Sequence, residues 1–264
     1  MGLSRTQDLQ LTAWGTSRNA WSFVHRPSRI FDAEPCYPER NSLTTDHPRL
    51  SLGVIGIPFQ LLTGDPVATF NAVVFASVLL AAFAMYLLVA DWTGVPAAGV
   101  VAALLYAFST EQIEKTFHLM HTDNAWLLFA LFFARRTLVR RRWRDAVWLG
   151  ATAALQVGSS LYAFLASAAG AIPVVAWLLW RHPPDRRTLA LLGVAGAILA
   201  AGIGLVFSPY AASDTGSIDR GAQFFLPWSG LLPGRTFFPG WPASGPRGCC
   251  GDCPRASQRS PPPP

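Results

Sequence analysis

Val67 to Ala90 is a run of 24 residues without a charge, a glycine or a proline. As a helix rising about 1.5 Å per residue it is roughly 36 Å long, enough to cross a hydrocarbon layer of about 30 Å with some tilt. Lipid offers no hydrogen-bond partner to the backbone, so a segment immersed there has to be helical or part of a closed barrel. The rest of the chain agrees with helices in a membrane. It is 51% hydrophobic and only 14% charged, where a soluble domain has about a quarter of its residues charged. Ten Trp and seventeen Phe suit interfacial and lipid-facing positions. The net charge of +6 is almost all arginine, Lys115 being the sole lysine. No interleaving of basic and aromatic residues marks a nucleic-acid surface, so no nucleic-acid partner is expected.

Breaks on either side define this first span. Thr63-Gly64-Asp65-Pro66 precedes it and Asp91-Trp92-Thr93-Gly94 ends it, both rich in turn residues. Further spans are expected over Val95–Ser109, Ala125–Val139, Asp145–Ala163, Phe164–Trp180 and Leu189–Phe207, with Gly158-Ser159-Ser160 near a turn. Leu50–Thr63 is apolar but short and contains Pro58, which predicts an interfacial or re-entrant helix. The fold class expected is therefore all-α: a polytopic transmembrane helical protein of about six spans with an extracytoplasmic N-terminal loop. The divisions are an outer loop over 1–66 holding that interfacial helix at 50–63, a transmembrane domain over 67–207, an outer loop over 208–241 and a disordered tail over 242–264. The tail is built of Pro, Gly, Arg, Ser and Cys, a composition that cannot bury a core. Its Cys249, Cys250 and Cys253 have no second CxxC or histidine nearby to complete a metal or redox cluster.

Arginine sets the orientation. Residues 135–144 hold six Arg and 181–187 hold three, and short basic loops stay in the cytoplasm. Alternation then puts 1–66, 111–124, 158–162 and everything after 208 outside. An outer N-terminus with neither signal peptide nor earlier span has no route across the membrane. That predicts a transmembrane helix encoded upstream of Met1.

The stretch Phe31 to Pro48 gathers Asp32, Glu34, Glu39, Asp46 and His47, with prolines that prevent a regular helix. Asp32 and Glu34 are two apart, and in an extended loop they share a side; they are either a metal pair or solvated loop acids. Asp46 and His47 precede Pro48, which holds His47 extended. His47 is a ligand, a proton shuttle or a phosphate partner, and Asp46 alternatively makes a cap or turn. His118 and His121 lie one helical turn apart with Asp123 beside them, a spacing that can bind metal or serve as polar surface. Arg49 and Lys115 are candidates to meet a lipid phosphate.

The order of these pieces resembles the bacterial GT-C-type integral membrane glycosyltransferases. The carrying residues start with Asp8, then Leu11-Thr12-Ala13-Trp14, His25 and Pro27, Phe31-Asp32-Ala33 and Tyr37-Pro38-Glu39. Asp46-His47, Thr63-Gly64-Asp65-Pro66, Asn71 and Ala107-Phe108-Ser109 follow. Phe117-His118-Leu119, Trp126, Trp143-Arg144-Asp145-Ala146, Ser159-Ser160, Tyr162 and Phe238-Pro239-Gly240 complete the series. The resemblance covers about residues 8 to 241, and only order and spacing together carry it. It implies an enzyme of the bacterial inner membrane. Such an enzyme takes a sugar from a polyprenyl-phosphate carrier and passes it to an acceptor at the outer face. A carboxylate on the first outer loop serves as base or orients the acceptor, and Asp8 matches that place. This chain departs from the pattern in having Gln7 ahead of Asp8, and in lacking the first span and the later helices.

Sugar transfer to a hydroxyl needs a carboxylate to take the proton and a cation or divalent metal such as Mg or Mn to steady the departing phosphate. The catalytic candidates are thus Asp8, Asp32, Asp46 and His47, with Glu34, Arg49, Lys115 and His118 as substrate-binding residues. The rivals are a transporter or flippase-like protein and an inactive gene fragment; the lack of charge within 67–109 leans against ion coupling. The orientation has a direct test: a reporter active only in the cytoplasm should work when fused after Arg142 and fail after Thr122. Activity of the Thr122 fusion would invert the topology.

Overall fold

The computed structural model describes residues 2–32, 41–45, 48–110, 112 and 123–212. Among them there is no strand. Eight α-helices account for nearly all: α1 Gly2–His25, α2 Leu50–Thr63, α3 Pro66–Thr93, α4 Pro96–Ala107, α5 Ala125–Arg140, α6 Trp143–Val157, α7 Leu161–Arg181 and α8 Arg186–Ala212. Two single 3₁₀ turns, Pro27–Arg29 and Ser42–Thr45, lie between α1 and α2.

The ends of α3 show why the breaks fall where they do. Asp65 is its N-cap and accepts a 3.0 Å hydrogen bond from the Val67 amide, Pro66 needs no partner for a missing N–H, and Gly94 closes the helix at φ 73°. Among the described residues three helices are long and apolar enough to cross a membrane: Pro66–Thr93, Phe164–Arg181 and Arg186–Ala211. The other expected spans are shorter. Helices α4, α5 and α6 have 12, 16 and 15 residues, or roughly 18 to 24 Å of rise. Pro173 lies within α7 without ending it, and α8 continues through Pro209 to Ala212, beyond the expected limit at Phe207.

The largest difference from expectation is at the N-terminus, where part of the expected loop is the 24-residue helix α1. No apolar run marks it. Its inner face is made of small and polar residues instead: Thr12, Thr16, Ser17, Asn19, Ala20 and Ser22 are all buried. With no proline before Pro27 nothing interrupts it, and small side chains let α2 approach closely. Asn19 Nδ2 donates to the Pro48 carbonyl at 2.8 Å, and Ser17 Oγ and Thr69 Oγ1 both donate to Gln60 Oε1, at 2.6 and 2.9 Å. Helices α1, α2 and the first half of α3 enclose one apolar cluster around Leu52, Phe70 and Val73. The second half of α3 and α5 enclose another around Ala84, Leu88, Leu128 and Phe132.

One end of the bundle is held by ion pairs. Asp91, in the last turn of α3, binds Arg135 and, at 2.8 Å, Arg140 of α5. Arg136 meets Asp145 of α6 at 3.3 Å, and Arg141 meets Asp185, just before α8, at 2.9 Å. Helices α6 and α8 pack so closely that a Cβ on Gly150 would stand 2.7 Å from the Ala195 carbonyl oxygen, whereas one on Gly196 would meet nothing within 4 Å. The two glycines should therefore respond oppositely. Gly150→Ala should lower stability by about 1–3 kcal/mol through overpacking, and Gly196→Ala should leave it unchanged or raise it slightly. Thermal melting of the detergent-purified protein followed by circular dichroism reads both.

Candidate functional site: a buried polar knot

At the end opposite the ion pairs three segments converge: the start of α2, the residues just before α5, and the turn between α6 and α7. The first amides of a helix lack intrahelical partners, and usually the N-cap side chain supplies one. Arg49, the N-cap of α2, makes no such bond and sits at φ 47°, ψ 26°. A carbonyl from another part of the chain takes over: Gly158 O accepts the Leu50 amide at 2.7 Å and the Ser51 amide at 3.3 Å. The Ser51 hydroxyl then donates to Asp123 Oδ2 at 2.5 Å. Gln156, in the last turn of α6, donates through Nε2 to the Asp123 carbonyl at 3.0 Å and accepts the Leu127 amide at 2.9 Å. Ser51, Asp123, Gln156, Ser159 and Ser160 are all buried.

Asp123 dominates the electrostatics. It is 1% exposed, and among the described residues it has no ion-pair partner. Burial pushes its carboxyl up from 3.8 to about 6, while the Ser51 and Ser159 hydroxyls pull it back. Ser159 acts by proximity, because its Oγ and Asp123 Oδ1 both lack a hydrogen-bond partner of good geometry. A carboxyl near neutrality can hold or release a proton under ordinary conditions, and such perturbed groups cluster at functional sites.

Of the sequence-predicted residues, Arg49 joins this knot. It is 4% exposed, and its guanidinium lies against α1, where a Cβ on Gly15 would be 3.3 Å from Nη1. Positive φ is uncommon for a residue with a side chain, and here it accompanies the turn that aims Arg49 at α1. Asp8 lies on α1, seven residues before Gly15 and so about 10 Å away along the axis. Asp32 has a structural task. Its Oδ1 accepts the Asn41 amide at 2.8 Å, and Leu43 N bonds to Phe31 O at 2.9 Å, together closing the loop after α1. Glu34, Asp46, His47, Lys115, His118 and His121 lie outside the described residues, as does 213–264. Among the described residues no three His, Cys, Asp or Glu side chains gather as a metal site.

Sequence reasoning placed Asp123 only as a neighbour of His121. The available signal was the polar Asp123-Asn124 directly ahead of an apolar helix, together with Ser159-Ser160 in a turn between apolar helices. No family model matches the chain, and no characterised protein or solved structure is significantly similar to it.

The raised pKa fixes the sign of a pH effect. The folded protein holds more protons than the unfolded chain between 3.8 and about 6, so stability from this group is greatest at low pH and falls as pH rises through that window. The difference is about 3 kcal/mol at neutral pH. Asp123→Asn should remove it. The melting temperature of the variant relative to the parent should rise between pH 4 and 6.5 and then level off. A difference independent of pH would contradict the buried carboxyl.

Proposed function

We propose that this protein is an integral membrane glycosyltransferase of about six spans. It moves a sugar from a polyprenyl-phosphate carrier to an acceptor hydroxyl at the outer face of a bacterial inner membrane, with the α1 region outside. The observation that carries the reading is the lodging of Arg49 between α1, which bears Asp8, and the Asp123 knot. In this reading Asp8 is the base and Arg49 the phosphate-binding cation, on helices that pack against each other. The resemblance in residue order supports the same assignment.

The alternation of α3 to α8 supports the topology. The C-terminal ends of α3, α5 and α7 and the N-terminal ends of α4, α6 and α8 lie together at the arginine end. The shorter α4, α5 and α6 cross by local thinning of the bilayer and by snorkelling of their terminal arginines.

In the reaction, Asp8 takes the proton of the acceptor hydroxyl as its oxygen attacks the anomeric carbon. The bond from that carbon to the carrier phosphate breaks, and the phosphate leaves with the electron pair. Arg49 offsets the charge that develops there. Asp123, bonded to Ser51, is a positioning residue that fixes Ser51, the start of α2 and thereby Arg49. Glu34, Asp46, His47, Lys115 and His118 are the further acceptor and carrier contacts, and a divalent metal, if used, belongs among them.

Full-length protein in membranes, given a radiolabelled polyprenyl-phosphate sugar, tests this. Asp8→Asn should lower transfer by about 10² or more, the usual scale for a positioned base, with unchanged expression. Arg49→Gln should raise KM for the donor more than it lowers kcat, and Arg49→Lys should recover part of the loss. A parent protein that neither binds nor turns over such a donor would refute the reading and favour a non-enzymatic membrane protein.

A further inference from the structure

Among the described residues the arginine end holds nine Arg, at 135, 136, 140, 141, 142, 144, 181, 186 and 187, against three acids, Asp91, Asp145 and Asp185. The surplus of six equals the net charge of the whole chain. The pairing is uneven. All three acids are taken by Arg135, Arg136, Arg140 and Arg141. Arg142, Arg144, Arg181, Arg186 and Arg187 are exposed and have no acidic partner among the described residues. These five come from two separate turns, α5–α6 and α7–α8, and the 2.9 Å bridge from Arg141 to Asp185 ties one turn to the other. The fold therefore spends its acids on joining the helices and leaves a focus of uncompensated charge around a single bridge.

Aromatic side chains identify the surroundings. Trp143 opens α6, Trp148 lies just over a turn further on and Trp180 precedes the last residue of α7; they are 64, 56 and 80% exposed. The Arg144 guanidinium lies 5.7 Å from the centre of the Trp143 ring. Exposed tryptophans at the ends of apolar helices belong at headgroup depth, and unpaired guanidinium groups at that depth suit bidentate binding of phosphate. A soluble anion would need the arginines but would leave the tryptophans unexplained.

We infer that the joined α5–α6 and α7–α8 turns form a seat for the headgroup of an anionic phospholipid, with the five unpaired arginines as ligands and the three tryptophans resting in the acyl boundary beside it. The seat is independent of the glycosyl-transfer reading and of which face of the membrane this end occupies.

The full chain in detergent, loaded with an equimolar mixture of phosphatidylglycerol and phosphatidylcholine and analysed for co-purifying lipid, tests the seat. Phosphatidylglycerol should be retained in preference by about tenfold or more at low salt, the preference shrinking at higher salt. Replacing the five arginines with glutamine should abolish the preference, and replacing them with lysine, which keeps the charge but loses the bidentate fork, should leave only part of it. The bridge itself can be broken and restored. Arg141→Asp should reduce the preference, and the charge swap Arg141→Asp with Asp185→Arg, which restores the parent's net charge, should recover it. Equal retention of both lipids would overturn the inference. So would a preference untouched by the five glutamines, a swap that fails to recover what Arg141→Asp loses in a protein that still melts cooperatively, or displacement of the lipid by millimolar inorganic phosphate.

Discussion

The hydrogen bond from Ser51 to Asp123 joins parts of the chain 72 residues apart, and it ties the two halves of the bundle together beside α3, whose second half packs against α5. On one side are α1, α2 and the first half of α3; on the other is the antiparallel pair α5 and α6. Backbone bonds from Leu50 and Ser51 to Gly158 add a second tie at the same place. An unsatisfied polar group in an apolar setting costs several kcal/mol, so these groups hold one another in register. Removing a single partner leaves the others exposed to that cost.

The two ends of the bundle handle their acids differently. At the arginine end Asp91, Asp145 and Asp185 each face a guanidinium, and several helix ends are fastened together by charge. At the other end the Asp123 side chain meets, among the described residues, the hydroxyls of Ser51 and Ser159, and its burial lifts it towards neutrality. The knot changes state when a proton leaves Asp123. That asymmetry makes the knot, rather than the ion pairs, the place where chemistry at the membrane surface would couple to the positions of α1 and α2.

The apolar helices were legible because length and absence of charge are local properties. The limits of α3 followed from Asp65-Pro66 and Gly94, whose capping roles need no distant partner. Helix α1 was not legible as a helix, because its buried face uses Thr, Ser and Asn, and a search for apolar runs passes over such residues. Arg49 was singled out as a phosphate partner, yet its seat against Gly15 depends on the packing of α1 on α2. Asp123 shows the limit most clearly. Its neighbours in sequence suggested a metal site with histidines, while the groups that set its chemistry, Ser51 and Ser159, come from remote segments. Asp32 was singled out as a candidate acid, and its Oδ1 accepts the Asn41 amide, a loop-closing bond that composition does not show.

A carboxyl held near neutrality by burial, and thereby fixing Arg49 and the start of α2, is the centre of this account. Infrared difference spectroscopy of the full-length protein, with Asp123→Asn as the reference, observes that carboxyl directly. The account predicts a protonated carboxyl band that disappears with a midpoint near 6 and that shifts when polyprenyl phosphate is added. A midpoint near the ordinary aspartate value of about 4, with no response to polyprenyl phosphate, would contradict it.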